Sequence, residues 1–138
     1  MLEPRFPYRK TILIVEDEPD TVEMLSEMMH LCGCQVVHTC RGHSALEMIL
    51  TTKPDALLLD VMLPDLSGLE VLRQIRNDPR LEQIPVILVS GNCHPSNIRE
   101  GMMVGASAYL TKPISFSELK EALDGVVKKK AQTAGASV

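Results

Sequence analysis

Five short apolar runs, each followed by a stretch with helical spacing, restrict what this chain can fold into more than any other feature. Thr11-Ile-Leu-Ile-Val15, Ala56-Leu-Leu-Leu-Asp60 and Pro85-Val-Ile-Leu-Val-Ser90 are continuous apolar runs ending in or beside a polar residue. Gln35-Val-Val-His-Thr39 and Ser107-Ala-Tyr-Leu110 are weaker versions of the same design. Runs without apolar–polar alternation suit strands covered on both faces, as in a parallel sheet. The intervening stretches carry apolar stripes at spacings of three and four. Pro19–Leu31 presents Val22, Leu25, Met28 and Met29. Ser44–Leu50 presents Ala45, Leu46, Met48, Ile49 and Leu50, with Lys53-Pro54 as the stop. Gly68–Arg76 presents Leu69, Val71, Leu72 and Ile75, Asn97–Val104 is poorly patterned, and Phe116–Lys129 presents Leu119, Leu123, Val126 and Val127. Ser115 and Glu118 have the spacing of a capping box, and Lys128 to Lys130 place positive charge where a helix dipole favours it.

Strand followed by helix, repeated along the chain, predicts a parallel α/β sheet with helices on both faces and right-handed crossovers. A chain of 138 residues fits one such domain. We expect it over residues 10–130, between an N-terminal arm at 1–9 and a C-terminal tail at 131–138.

In sheets of this kind ligands bind beyond the carboxyl ends of the strands. Those ends are polar here. Glu16 and Asp17 follow the first run, Asp60 ends the third, Ser90 ends the fourth and Lys112 follows the fifth. Crowded carboxylates repel one another, and a bound cation relieves the repulsion. Oxygen-only ligands select Mg²⁺, or Mn²⁺, over zinc. Such an ion also neutralises charge on a transferring phosphoryl group. Lys112 adds a mobile positive charge for the same anion, and the Ser90 hydroxyl can donate to a phosphoryl oxygen. Asp60 is then a carboxylate nucleophile forming an aspartyl phosphate.

Composition excludes several alternatives. A formal net charge of −4 gives no reason to expect nucleic-acid binding through a basic surface. No apolar run reaches the roughly 18 residues of a membrane span, and the N-terminus lacks the apolar core of a signal peptide. A cytoplasmic protein is expected. Cys32 and Cys34 are separated by one residue rather than two, so a reduced, structural role is expected for the cysteines. Met24, Met28 and Met29 read as core filler. His30, His38, His43 and His94 share no ligand spacing and read as surface or packing residues.

Four stretches together resemble the receiver domains of response regulators. They are Ile14-Val-Glu-Asp-Glu-Pro19, Leu58-Leu-Asp-Val-Met-Leu-Pro-Asp-Leu-Ser-Gly68, Pro85-Val-Ile-Leu-Val-Ser-Gly91 and Gly105-Ala-Ser-Ala-Tyr-Leu-Thr-Lys-Pro113. The resemblance spans roughly residues 10–130. It implies a flavodoxin-like fold with five parallel strands in the order 2-1-3-4-5. It implies a switch of two-component signalling in which a histidine kinase or phosphotransfer protein phosphorylates Asp60. Glu16, Asp17, Asp60 and the backbone carbonyl of Met62 would hold Mg²⁺, and Ser90 and Lys112 would hold the phosphoryl group. Tyr109 would be the aromatic that turns with the state of the site, and Lys112–Pro113 a cis peptide. Met62 and Asn92 would lie along the phosphoryl path. A downstream protein target or a further effector domain, and a monomer or weak dimer, complete the expectation. Such a domain catalyses only its own phosphorylation and dephosphorylation. Glu16 stands where Asp is also frequent in the family, and Gly91 where Ala is common.

Three other readings compete. A magnesium-dependent phosphohydrolase would need an acid two residues past the nucleophile, where this chain has Met62. A flavodoxin-like cofactor protein would need a phosphate loop after the first strand, where Glu16-Asp-Glu-Pro-Asp20 repels phosphate. A phosphorylation-independent binding module of the same fold would have no use for so complete a set of acids, hydroxyl and lysine.

Overall fold

The computed structural model describes residues 10–136, and side chains as far as Val126. The expected arm at 1–9 lies outside the described residues. Strands and helices alternate without exception: β1 Thr11–Val15, α1 Pro19–Leu31, β2 Gln35–Thr39, α2 Gly42–Thr52, β3 Ala56–Asp60, α3 Gly68–Asn77, β4 Val86–Ser90, α4 Pro95–Val104, β5 Ala108–Thr111 and α5 Phe116–Ala136. The strands form one parallel sheet in the order β2-β1-β3-β4-β5. This is the doubly wound arrangement expected, with its switch point between β1 and β3.

Every residue of β3 and of β4 is buried, as their unbroken apolar runs require. Side chains alternate between the two faces of each strand. Ile12, Ile14, Leu58, Ile87 and Val89 therefore pack on one face with Leu25 and Met29 of α1 and Leu119 and Leu123 of α5. Leu13, Val15, Leu57, Leu59 and Leu88 pack on the other with Ala45 and Ile49 of α2 and Val71, Leu72 and Ile75 of α3. Cys32 and Cys34 are free thiols buried in the first cluster, and burial pushes the Cys34 thiol up to about 11. Met29 is buried there too, with Met24 and Met28 packed at its edge.

Several helix details differ from the spacing. In α1 the buried row is Thr21, Leu25 and Met29: Leu25 and Met29 are core as expected, but Thr21 rather than Val22 opens the row, and Val22 and Met28 are half-buried. Residues four apart stack on one face, so Thr21 turns inward, and its hydroxyl donates to Glu18 Oε1 at 3.1 Å. Leu50 of α2 is exposed, while Ala45 and Ile49 meet the sheet. This helix starts earlier than expected, because Asp65 accepts from Gly42 N (2.9 Å) and His43 N (3.0 Å). That cap comes from the loop after β3. Helix α4 buries one residue, Gly101, which explains its weak apolar pattern. Helix α5 continues to Ala136, so the expected tail is helical from residue 131 to that point, and Lys128 to Lys130 lie short of the helix end. Ala131, Gln132 and Ala134 are good helix formers, and no proline stops them. Ser115 caps α5 by accepting from Glu118 N at 3.2 Å.

The loop after β3 is closed tightly by Gly68, whose N–H donates to Val61 O at 2.9 Å. A Cβ on Gly68 would sit 2.2 Å from Asp60 O and 2.8 Å from Val61 Cα. Both are backbone atoms that cannot step aside. Gly68→Ala is expected to cost about 3 kcal/mol, the upper range for overpacking. Urea denaturation would measure the loss.

Candidate functional site

Parallel pairing brings the strand ends to one edge. Val15 pairs with Leu59, Asp60 with Val89, and Ser90 with Thr111. Glu16, Asp60, Ser90 and Lys112 therefore lie at or one residue past the ends of β1, β3, β4 and β5. One carboxylate oxygen from each of Glu16, Asp17 and Asp60 lies within 4.8 Å of the other two. Glu16 and Asp60 are 1% and 4% exposed, whereas Asp17 is open to solvent.

Lys112 reaches into this cluster across the sheet edge. Its Nζ donates to Glu16 Oε1 at 2.9 Å and to Asp60 Oδ2 at 3.4 Å. The strand end is fixed by Lys112 N donating to Ser90 O at 2.8 Å. The Lys112–Pro113 peptide is cis, as the resemblance implies. Burial opposes the Lys112 charge, but its bond to Glu16 and the neighbouring negative charges outweigh it, so its pKa is raised above 10.5. Met62 N donates to the other Asp60 oxygen, Oδ1, at 3.0 Å.

The backbone holds Glu16 in place. Its Oε2 accepts from Asp17 N at 3.1 Å and Glu18 N at 3.2 Å. Its N–H donates to Thr39 O, and its carbonyl accepts from His38 Nε2 at 2.9 Å. A carbonyl only accepts, so Nε2 carries the proton. Burial, helped by a hydrogen bond with Asp60, raises the Glu16 carboxyl above its ordinary 4.5, against the opposing bonds from Lys112 and Glu18 N. A raised carboxyl holds more protons folded than unfolded between 4.5 and the raised value, so its contribution to stability falls as pH rises through that window. Without metal ion, the wild-type Tm is expected to fall relative to Glu16→Gln as pH rises there; thermal melts in EDTA would measure it.

Ser90 is buried, and its Oγ accepts from Asn92 N at 3.1 Å. Asn92 O in turn accepts from Tyr109 Oη at 3.0 Å. The Tyr109 ring is half-buried against the core face lined by Leu88. Met62 is 74% exposed at the mouth of the site. Glu16, Asp17, Asp60, Ser90 and Lys112 thus share one sheet edge, while Tyr109 stands within β5 and reaches that edge through its hydroxyl. His38, Asp65 and His94 have positional roles that their sequence context did not reveal. Asp65 and His94 cap helices α2 and α4, and His38 anchors the Glu16 backbone. The strand register and the loop after β3 bring His38 and Asp65 to those contacts, whereas His94 meets Ser96 two residues on.

Comparisons with known proteins agree with this geometry. The family model described as the response regulator receiver domain matches residues 12–124. The phosphate regulon transcriptional regulatory protein PhoB of Pseudomonas aeruginosa is 37% identical over 120 residues, which cover 87% of this chain and 52% of PhoB. The chain thus spans about half the length of that relative. The polar-differentiation response regulator DivK of Brucella anthropi is 33% identical over 117 residues, covering 83% of this chain and 93% of DivK. The crystal structure of the signal receiver domain of a signal transduction histidine kinase from Syntrophus aciditrophicus superposes with a TM-score of 0.80 at 30% identity, covering 87% of this chain and 91% of that one. The chain belongs to the response regulator receiver family, the phosphorylation-activated switches of two-component signalling. Receiver domains bind Mg²⁺ in an acidic site of this kind and are generally switches rather than turnover enzymes. The phosphorylation-independent module is not favoured. Among the described residues, no helix is long and apolar enough to cross a membrane.

Proposed function

We propose that Asp60 is the phosphoacceptor of a two-component relay, and that phosphorylation here is read out through Ser90, Lys112 and Tyr109. The supporting observation is the convergence of three carboxylates, two of them buried, with one lysine at a single strand edge. An all-oxygen donor set with buried negative charge fits Mg²⁺, or Mn²⁺, held by Glu16, Asp17, Asp60 and the Met62 carbonyl. When bound, such an ion draws charge off the phosphoryl oxygens.

A phosphohistidine of a sensor kinase or phosphotransfer protein is the donor. An Asp60 oxygen attacks phosphorus, the P–O bond forms, and the P–N bond breaks with its electron pair returning to the imidazole. The carboxylate form of Asp60 is the nucleophile, and the Lys112 ammonium lies 3.4 Å from its Oδ2. Lys112 is partly exposed and can follow the new dianion. Ser90 exchanges its role as acceptor from Asn92 N for donation to a phosphoryl oxygen. The Asn92 loop then shifts, and with it the Tyr109 hydroxyl bonded to its carbonyl. A local charge change is thereby passed to α4 and β5. Met62 and Asn92 flank the path of water to the aspartyl phosphate. The chain acts in the cytoplasm on a downstream protein or an attached effector domain, without contacting nucleic acid itself, as a monomer or weak dimer. Its chemistry is limited to its own phosphorylation and dephosphorylation.

Intact mass after incubation with acetyl phosphate and Mg²⁺ tests the reading. One added phosphoryl group per chain, lost with EDTA, is expected. No addition would contradict it.

A further inference from the structure

Helix α4 approaches the sheet through a glycine. A Cβ on Gly101 would lie 2.8 Å from Leu88 Cδ1 and 3.1 Å and 3.3 Å from Cδ2 and Cε2 of the Tyr109 ring. Helix propensity alone favours Ala over Gly at an interior helical position. The missing side chain is therefore explained by this contact and not by the helix. The two neighbours differ in freedom. Leu88 is fully buried in the sheet core, so its methyl can shift only by repacking against core neighbours. Tyr109 is half-buried on the last strand, and its ring can swing outward.

From this we infer that Gly101 is a positioning residue for Tyr109: the gap at 101 admits the ring to its inner place, against α4 with Oη on the Asn92 carbonyl, before any phosphoryl group arrives. A Cβ at 101 closes that gap, and the ring is the group that yields. Because Asn92 also bonds Ser90 Oγ, the gap connects to the phosphoryl site through two hydrogen bonds, 3.0 Å from Tyr109 to Asn92 O and 3.1 Å from Asn92 N to Ser90. The resting chain is thus biased toward the inner ring, and phosphorylation adds to a population already present. The inference rests on Tyr109 being the moving aromatic of the switch.

The chain has 2 tyrosines and no tryptophan. The full chain labelled with 3-fluorotyrosine and carrying Tyr8→Phe therefore gives one ¹⁹F resonance, that of Tyr109. Spectra of this protein and of its Gly101→Ala form, with and without Mg²⁺ and beryllofluoride, decide the matter. Without beryllofluoride, Gly101→Ala should move the resonance toward the position of free fluorotyrosine. Beryllofluoride should then shift the variant further than the parent. Phosphoryl uptake from acetyl phosphate should stay at one group per chain in both. Equal starting positions and equal shifts would overturn the role of Gly101 while leaving Tyr109 as the switch. No beryllofluoride shift in either protein would overturn both. If Gly101→Ala does not fold, the double variant with Leu88→Val, which removes the nearer clash and keeps the ring contact, carries the same outcomes.

Discussion

Asp60→Asn is expected to abolish phosphoryl uptake, leaving the intact mass unchanged after acetyl phosphate and Mg²⁺. The amide of Asn is a poor nucleophile, and the other buried carboxylate of the cluster, Glu16, is held by two backbone N–H groups and Lys112. The same substitution removes one of two buried like charges that share a single lysine. Without metal ion it should therefore raise the Tm, while the stabilisation given by Mg²⁺ shrinks because a ligand has been lost. Opposite signs for apo stability and for phosphoryl uptake are a demanding combination. Continued uptake would move the acceptor to another residue. A lowered apo Tm would mean that the Asp60 charge is not repelled where it sits.

Lys112→Met tests the other half of the electrostatics. Lys112 is the cation bonded to both buried carboxylates. Removing one partner of a buried pair leaves charge without compensation, which costs about 3 kcal/mol. For a domain of this size that lowers the apo Tm by roughly 10 °C. Mg²⁺ supplies positive charge to the same carboxylates, so it should recover most of the loss. Acid should recover part of it as well, because burial and Asp60 raise the Glu16 pKa and the loss of Lys112 removes a bond that lowers it. Thermal melts with EDTA, with Mg²⁺, and at two pH values separate these effects. An unchanged Tm in EDTA would show that solvent already screens the pair.

The architecture was legible because β1, β3 and β4 announce themselves. Buried on both faces, they are apolar throughout, and their polar terminal residues stand out. Once the strands are parallel, Glu16, Asp60, Ser90 and Lys112 must meet, although Lys112 is 52 residues from Asp60 in sequence. Helix edges were less legible because distant groups set them. Asp65 caps α2 from the loop after β3, and no property of Gly42 or His43 signals it. Helix α4 gave little pattern because it packs through Gly101, and hydrophobic spacing is silent about a contact made by a missing side chain. His38 read as a packing residue because its bond is to a backbone carbonyl, which only the β1–β2 register places beside it.

Diffraction from crystals grown with Mn²⁺ and beryllofluoride would test the shared site most directly. The expected result is one anomalous peak among Glu16, Asp17, Asp60 and the Met62 carbonyl, with beryllium bonded to an Asp60 oxygen and its fluorines met by Lys112 Nζ and Ser90 Oγ. Manganese bound away from Asp17 and Asp60, or beryllofluoride attached to any other residue, would contradict it.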